Sequence, residues 1–301
     1  MAELVPPDAG ALDIKYSFFR QAVRRMWSYR SARIGFFVIL FFVLVAICVP
    51  IFWPYDAKSD SNLPEKLQPP SWAHPFGTDQ LGRDVLRRVA HGAPISLQVG
   101  LTAVALGLAV GSVLGMIAGF LRGWVDSVIM RLMDILLAFP ATLLAIGIVA
   151  ARGPGLGNTM IAIGIVSIPG YARIARSMVL SLREREFVSA AQAIGAGPFR
   201  VLFRHILPNG LSPLVVQATL NIATAVLEAA ALGFLGLGAQ PPQPEWGAML
   251  SDSYKFLTVG AWWPVLFPGL AIMLTVLGFN LLGDGLRDAL DPRMLVTTKR
   301  F

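Results

Sequence analysis

No lysine in the 301-residue chain follows a glycine, so the G-x-x-x-x-G-K-[ST] phosphate loop cannot occur and ATP is not bound by that route. The three histidines, His74, His91 and His205, stand far apart, and none belongs to an H-E-x-x-H zinc motif. A G-x-S-x-G nucleophile elbow is missing as well. Cys48 is the single cysteine, which excludes an internal disulfide and a cysteine-based metal site. Charged residues make up only 14% of the chain, too few to build a cluster of titratable groups facing one cavity. The chain therefore reads as a non-enzyme with no metal and no cofactor of its own.

What is abundant is apolar. Hydrophobic residues reach 55% and mean hydropathy is +0.64. Runs of about 20 such residues match the thickness of a bilayer core. Six of them are expected to span, at 34–53, 95–120, 127–150, 159–180, 211–237 and 263–283, giving an all-α membrane protein. The first run starts after a long basic segment and is long enough to span, so it is not a cleavable signal. Gly107, Gly111, Gly115 and Gly119 repeat every four residues on the second run, which permits close approach of a neighbouring helix. Four regions follow: a basic N-terminal segment (1–33), a first span with its loop (34–94), a core with five spans (95–285) and a tail (286–301).

The net charge of +7 is divided among separate loops, so nucleic acid is not the partner. Six spans put both termini on one side. Basic residues concentrate in the N-terminal segment (among them Lys15, Arg20, Arg24 and Arg25), in the stretch from Arg173 to Arg204, and at Arg287–Arg300. By the positive-inside rule these face the cytoplasm, with both termini. Phe18, Phe19, Val23 and Met26 suit a surface helix whose arginines meet lipid phosphates; a plain cytoplasmic tail that only sets topology is the alternative.

Residues 187–208, FVSAAQAIGAGPFRVLFRHILP, interrupt the apolar pattern between the fourth and fifth spans. Phe187, Ala191 and Ile194 predict the apolar face of a short helix. Gly195, Gly197 and Pro198 stop it and start a second, in which Phe199, Leu202, Phe203 and Ile206 form a stripe and Arg200 and Arg204 share another face. Pro208 is expected to close the unit. A basic helical hairpin between two spans is a docking element for a cytoplasmic partner.

Its spacing resembles the E-A-A, three residues, G, nine residues, I-x-L-P loop of ABC importer permeases. Ala190, Ala191, Gly195, Leu207 and Pro208 match; Ser189 replaces the Glu, and His205 stands at the Ile position with Ile206 beside it. The resemblance implies that this loop, including Ala196, fits a groove on an ATPase subunit. Residues 74–100 carry the F-G-T-D and L-G-R-D patterns of peptide-type permeases at Phe76, Gly77, Asp79 and at Gly82, Arg83, Asp84. Gly77 and Gly82 supply turns, and Asp84, Arg87 and Arg88 suit a surface approach helix. This loop is a candidate contact for an extracytoplasmic substrate-binding protein, or a turn packed at the pore mouth.

Two acidic positions fall within spans. Asp134 is a candidate for the pore or an interface, though a local pair with Arg131 at i, i+3 is the favoured expectation, and Pro140 is expected to kink their helix. Glu228 opens a stretch, LEAAALGFLGLGAQPPQPEWGAML, that closely resembles a peptide-permease signature. It is a candidate for the pore or for a buried subunit interface. The tail 280–293 matches the same family, with Gly283 and Gly285 expected to end the last span and Pro292 to stop a short helix.

In combination these motifs resemble the second, C-type permease subunit of a dipeptide or oligopeptide ABC importer, in a bacterial cytoplasmic membrane. The resemblance implies the type I importer permease fold with a coupling helix between spans 4 and 5. Its implied partners are a second homologous permease, two cytoplasmic ATPases that hold ATP and Mg, a substrate-binding protein and a peptide. Nickel chelates, glutathione or sugars are alternative cargoes. An ATP-independent secondary transporter is the alternative from another class, weakened by the thin set of buried acidic residues.

Overall fold

The computed structural model describes residues 24–56 and 59–290. The expectations for Lys15, Phe18, Phe19, Arg20, Val23 and Pro292 lie outside these residues. The regular elements described are helical, and a single bridge, Thr78 with Asp84, is the one strand-like pairing among the described residues. Helices α1 (Arg30–Phe52), α2 (Val85–Leu121), α7 (Pro198–Phe234) and α9 (Trp263–Leu290) are each long and apolar enough to cross a membrane. Helices α3 (Gly123–Ala138) and α4 (Ala141–Arg152) pass the same test together. Helix α5 (Leu156–Leu182) has 27 residues, about 40 Å at 1.5 Å per residue. Two short helices, α6 (Glu186–Ala193) and α8 (Trp246–Ser253), sit at opposite ends of the bundle.

Several boundaries differ from the sequence reading, each for a local reason. The approach helix at Arg87 and the second span are one 37-residue helix, α2, with Pro94 inside it. In place of a mild kink, α3 and α4 meet at 91°. Phe139 (φ −90°, ψ 138°) and Pro140 (φ −55°, ψ 130°) are both extended there, because a proline pushes the residue before it out of the helical region. Pro208 does not close the loop. It lies in a continuous helix, just after a π-helical turn at Val201–Ile206, where the Leu207 N–H reaches back to the Leu202 carbonyl. The change of ladder there accommodates a residue that has no N–H to give. Gly283 and Gly285 likewise lie inside α9 rather than ending it.

Glycines determine how closely the helices pack. A Cβ on Gly107 would fall 1.9 Å from Ser167 Oγ, on Gly111 2.5 Å from the Ile168 carbonyl, and on Gly115 2.1 Å from the Ala172 carbonyl. These partners ascend together, so α2 and α5 run parallel with their backbones nearly touching. Gly35 and Gly285 allow equally close contact between α1 and the antiparallel α9, and Gly283 admits Leu220 of α7. Between apolar helices in lipid, such van der Waals contact replaces the hydrophobic drive available in water. Two large cores result: Val149, Tyr171, Val179, Ile206 and Leu214 belong to one, and Phe42, Trp246, Ile272 and Phe279 to the other; Met133, Ile168 and Ala172 form a smaller third cluster.

Candidate functional site

The loop between α5 and α7 is fastened at its root. Arg183 donates to the Phe120 carbonyl at 3.2 Å and Arg122 to Glu184 at 2.8 Å. Arg176 grips Asp126 through two hydrogen bonds of 2.6 and 2.7 Å. All three tie the end of α5 to the corner between α2 and α3. From there α6 turns Val188 and Ala191 into the core. The predicted face of Phe187, Ala191 and Ile194 is corrected accordingly: Phe187 and Ile194 are exposed and Val188 takes the inner place.

Gly195 ends α6. Its φ of +87° is left-handed, the Ala196 N–H reaches the Ala191 carbonyl at 3.0 Å, and its own N–H reaches that of Gln192 at 2.9 Å. This paired closure is a Schellman motif, and it favours glycine for backbone reasons alone; no atom lies within 4 Å of a Cβ built there. Gly197, at φ −67°, is conformationally ordinary and precedes Pro198 at the start of α7.

The π turn resets the register beyond it. Val201, Leu202 and Ile206 are buried, so Ile206 fills the inner place beside the half-exposed His205. Of the predicted stripe, Phe199 and Phe203 point outward, 79% and 53% exposed, and Ile194 is 87% exposed. Arg200, Arg204, Ala190 and Ser189 share this outer surface. Leu207 is half-buried and Pro208 exposed. The loop is held from within and presents large apolar groups among arginines, the composition enriched at protein interfaces.

At the other end of the bundle, Asp79 organises the long loop. Its Oδ1 accepts the N–H groups of Leu81 (2.8 Å) and Arg83 (3.0 Å). Its Oδ2 takes Arg83 Nε at 2.7 Å and Arg88 Nη1 at 2.6 Å, and all three side chains are buried. Asp84 caps α2 by accepting the Arg87 N–H at 2.9 Å and holds His74 Nδ1 at 2.9 Å. Gly77 and Gly82 both have φ +71°, with Trp263 and the Asn62 carbonyl where a Cβ would stand. Phe76 stacks on Phe267 with centroids 3.8 Å apart. Arg88 is thus an interior residue rather than part of a surface approach helix. These residues form the frame of the loop; Leu63 and the fully exposed Trp72 form part of its outer surface.

Asp134 does not pair with Arg131. It accepts from Arg173 of α5 at 2.7 Å, since α5 places a guanidinium opposite it. Glu228 is half-buried on α7 and makes no hydrogen bond or ion pair among the described residues. Two features escaped the sequence reading. Gln217, Asn221, Thr224 and Glu228 recur at i, i+4, i+7 and i+11, a helical spacing that was available as a signal. Glu245, buried to 2% exposure, caps α8 by accepting the Gly247 and Ala248 N–H groups, each at 2.8 Å. Burial pushes its carboxyl above the usual carboxylate range, and the two N–H groups pull the other way.

Residues 111–296 match the family described as binding-protein-dependent transport system inner membrane component. Residues 17–70 match the N-terminal TM domain of oligopeptide transport permease C. The chain is 54% identical to a dipeptide transport system permease protein DppC of Alkalihalophilus pseudofirmus, over 92% of this chain and 90% of the relative. A di/tripeptide transport system permease protein DppC of Pseudomonas aeruginosa is 50% identical, over 86% and 87%. A glutathione transport system permease protein GsiD of Escherichia coli is 51% identical, over 84% of each chain. Among solved structures, the inward-facing MetNI methionine ABC transporter superposes with a TM-score of 0.55 at 20% identity. The match covers 69% of this chain and 96% of that one, a likeness of fold.

Proposed function

Because the chain belongs to the family of binding-protein-dependent transport system inner membrane components, we propose that it is the C-type permease subunit of an ATP-driven peptide importer and forms half of its translocation pore. The observation that carries the reading is identity of about half over nearly the whole chain to permeases named for dipeptide and di/tripeptide transport. Six spans follow if α3 with α4 is one crossing and α5 another, around a first-span region, a five-span core and a tail. The arginine-bearing end then faces the cytoplasm of a bacterial inner membrane.

The partners are a second homologous permease, two ATPases that bind ATP and Mg, and an external binding protein. Residues Ala190–Arg204 are the contact for an ATPase, through Ile194, Phe199, Phe203, Arg200 and Arg204. Gly195 fixes the angle at which α6 meets α7. The root salt bridges and the glycine contact between α2 and α5 support transmission of a push on this loop into the bundle. The outer loop framed by Asp79 is the platform nearest the binding protein.

Glutathione is the second cargo to weigh, since the GsiD relative is similar at 51% and glutathione is itself a tripeptide. The test is reconstitution with the partner subunits in vesicles and measurement of labelled dipeptide uptake with glutathione as competitor. ATP-dependent dipeptide uptake that excess glutathione leaves unchanged supports the assignment. Uptake of glutathione alone transfers it to that cargo, and uptake without ATP overturns it.

A further inference from the structure

Helix α7 has four sides, and this chain covers three of them. Val226 and Ile222 pack against Gly100 of α2, where a Cβ would lie 2.8 and 3.4 Å from their methyl groups. On one flank Leu214, Ala225 and Ala229 join the core with Tyr171 and Met178 of α5. On the other, Leu220 seats against Gly283 of α9. At 3.6 residues per turn, the side left open is opposite Gly100, and it carries Gln217, Asn221, Thr224 and Glu228.

Nothing else on α7 is acidic. Gln217 donates to Asn221 Oδ1 at 2.7 Å, Thr224 is exposed, and Glu228 is half-buried without a partner among the described residues. The Tyr171 hydroxyl of α5 is buried and faces Asn221. Immediately alongside, Leu227, Ala231 and Phe234 face an apolar cleft of about 810 Å³ shared with Ile272 and Met273 of α9. Polar and apolar residues are thus sorted onto adjacent faces of one membrane-crossing helix. An unpaired carboxylate and two amides do not turn toward hydrocarbon; such groups meet water or polar protein.

We propose that the Gln217–Asn221–Thr224–Glu228 face is the wall of the aqueous route, and that Glu228 receives the cationic end of the cargo, the α-ammonium of a peptide. The face runs about 16 Å along the helix axis, eleven residues at 1.5 Å each, with its carboxylate towards the Phe234 end. A neutral amide and hydroxyl row below a single carboxylate offers hydrogen bonds to any peptide backbone and one charge contact that all free peptides share. Side chains of different shape are accommodated because no second fixed charge stands on this face.

The inference rests on the importer reading, and the experiment separates the two. The assembled complex is rebuilt on a Cys48→Ser background, which removes the chain's cysteine. Thr224→Cys and Leu227→Cys are introduced singly, and a membrane-impermeant sulfonated thiol reagent is added during ATP turnover. Thr224→Cys is expected to react at least ten-fold faster than Leu227→Cys, to lose uptake on reaction, and to be protected by dipeptide. In parallel, Glu228→Gln is expected to raise the KM for dipeptide uptake about ten-fold with ATP hydrolysis and subunit recovery unchanged, and Glu228→Asp to restore part of it.

If Thr224→Cys reacts no faster than Leu227→Cys, the face is not the wall of a water route and the proposal falls. If it reacts but Glu228→Gln leaves KM unchanged, the ammonium contact falls and the route stands. If the Cys48→Ser complex hydrolyses ATP without importing peptide, the importer reading falls and this inference with it.

Discussion

Gly115 lies directly against the carbonyl of Ala172: a Cβ placed on it would stand 2.1 Å from that oxygen. No rotamer change relieves such a clash, because both sides are backbone. Gly115→Val is expected to cost at least the 1–3 kcal/mol typical of overpacking, roughly. Gly147→Val, at a position with nothing within 4 Å of a Cβ, is expected to leave the melting temperature of the detergent-solubilised protein within a degree or two. Equal stability of the two variants would mean that α2 and α5 are not in backbone contact.

Gly195 makes a different demand, since the space around it is open and only its φ of +87° matters. A β-branched residue there strains the turn by about 1–3 kcal/mol and shifts the angle between α6 and α7. Gly195→Val is therefore expected to leave membrane insertion and subunit recovery near normal while ATP hydrolysis continues without matching peptide uptake. Gly195→Asn, which tolerates the left-handed region better, should keep more of the coupling. Tight coupling in Gly195→Val would remove this turn from the account.

Asp79, Arg83 and Arg88 form a buried ionic cluster in which two guanidinium groups share one carboxylate. Removing the shared partner leaves the buried Arg83 unpaired and Arg88 with only the more exposed Asp252, at 3.7 Å; an unpaired buried charge costs about 3–5 kcal/mol in comparable sites. Asp79→Ala is expected to lower thermal stability by many degrees and to expose the outer loop to protease. Asp60→Ala, which removes one partner of the less buried Arg87 and leaves it the Pro54 carbonyl and the Trp53 ring, should do much less. A mild Asp79→Ala phenotype would show that the loop does not depend on this cluster.

Glu245 carries a pH signature. Its folded carboxyl is raised above the ordinary value, first by burial. The stabilisation tied to its proton is thus complete below the ordinary glutamate range and is lost as pH rises through the raised value. Glu245→Gln keeps an acceptor for the Gly247 and Ala248 N–H groups but cannot ionise. Thermal melts across mildly acidic to neutral pH should therefore fall for the native protein relative to Glu245→Gln. Parallel curves would show that Glu245 does not titrate in this window.

How much of this was legible in the chain differs from place to place. The apolar runs announced the long helices, and the four-residue glycine spacing announced a close helix contact, because both depend on periodicity alone. Gly195 was legible as a stop, since few residues end a helix left-handed. The interior position of Arg88 was not: a charge beside a helix start reads as surface until a carboxylate from a distant loop residue is found to face it. Nor was the outward turn of Phe199 and Phe203: the apolar stripe did not show which of its edges faces the bundle, and the π turn at Val201–Ile206 lets Val201 and Ile206 both point inward. The break at Phe139 and Pro140 was legible as a bend but not as a right angle, which depends on two consecutive extended residues.

The central claim is that the 187–204 surface joins this permease to an ATPase. Its most direct test is purification of the tagged protein in mild detergent from cells expressing the whole system, with and without Phe199→Glu and Phe203→Glu. The account predicts that an ATPase pair and a second permease co-purify with the native chain. It predicts that the ATPase is lost from the double variant while the second permease remains. A chain that copurifies only with itself and transports without ATP, or an ATPase that stays bound when both phenylalanines are charged, would contradict it.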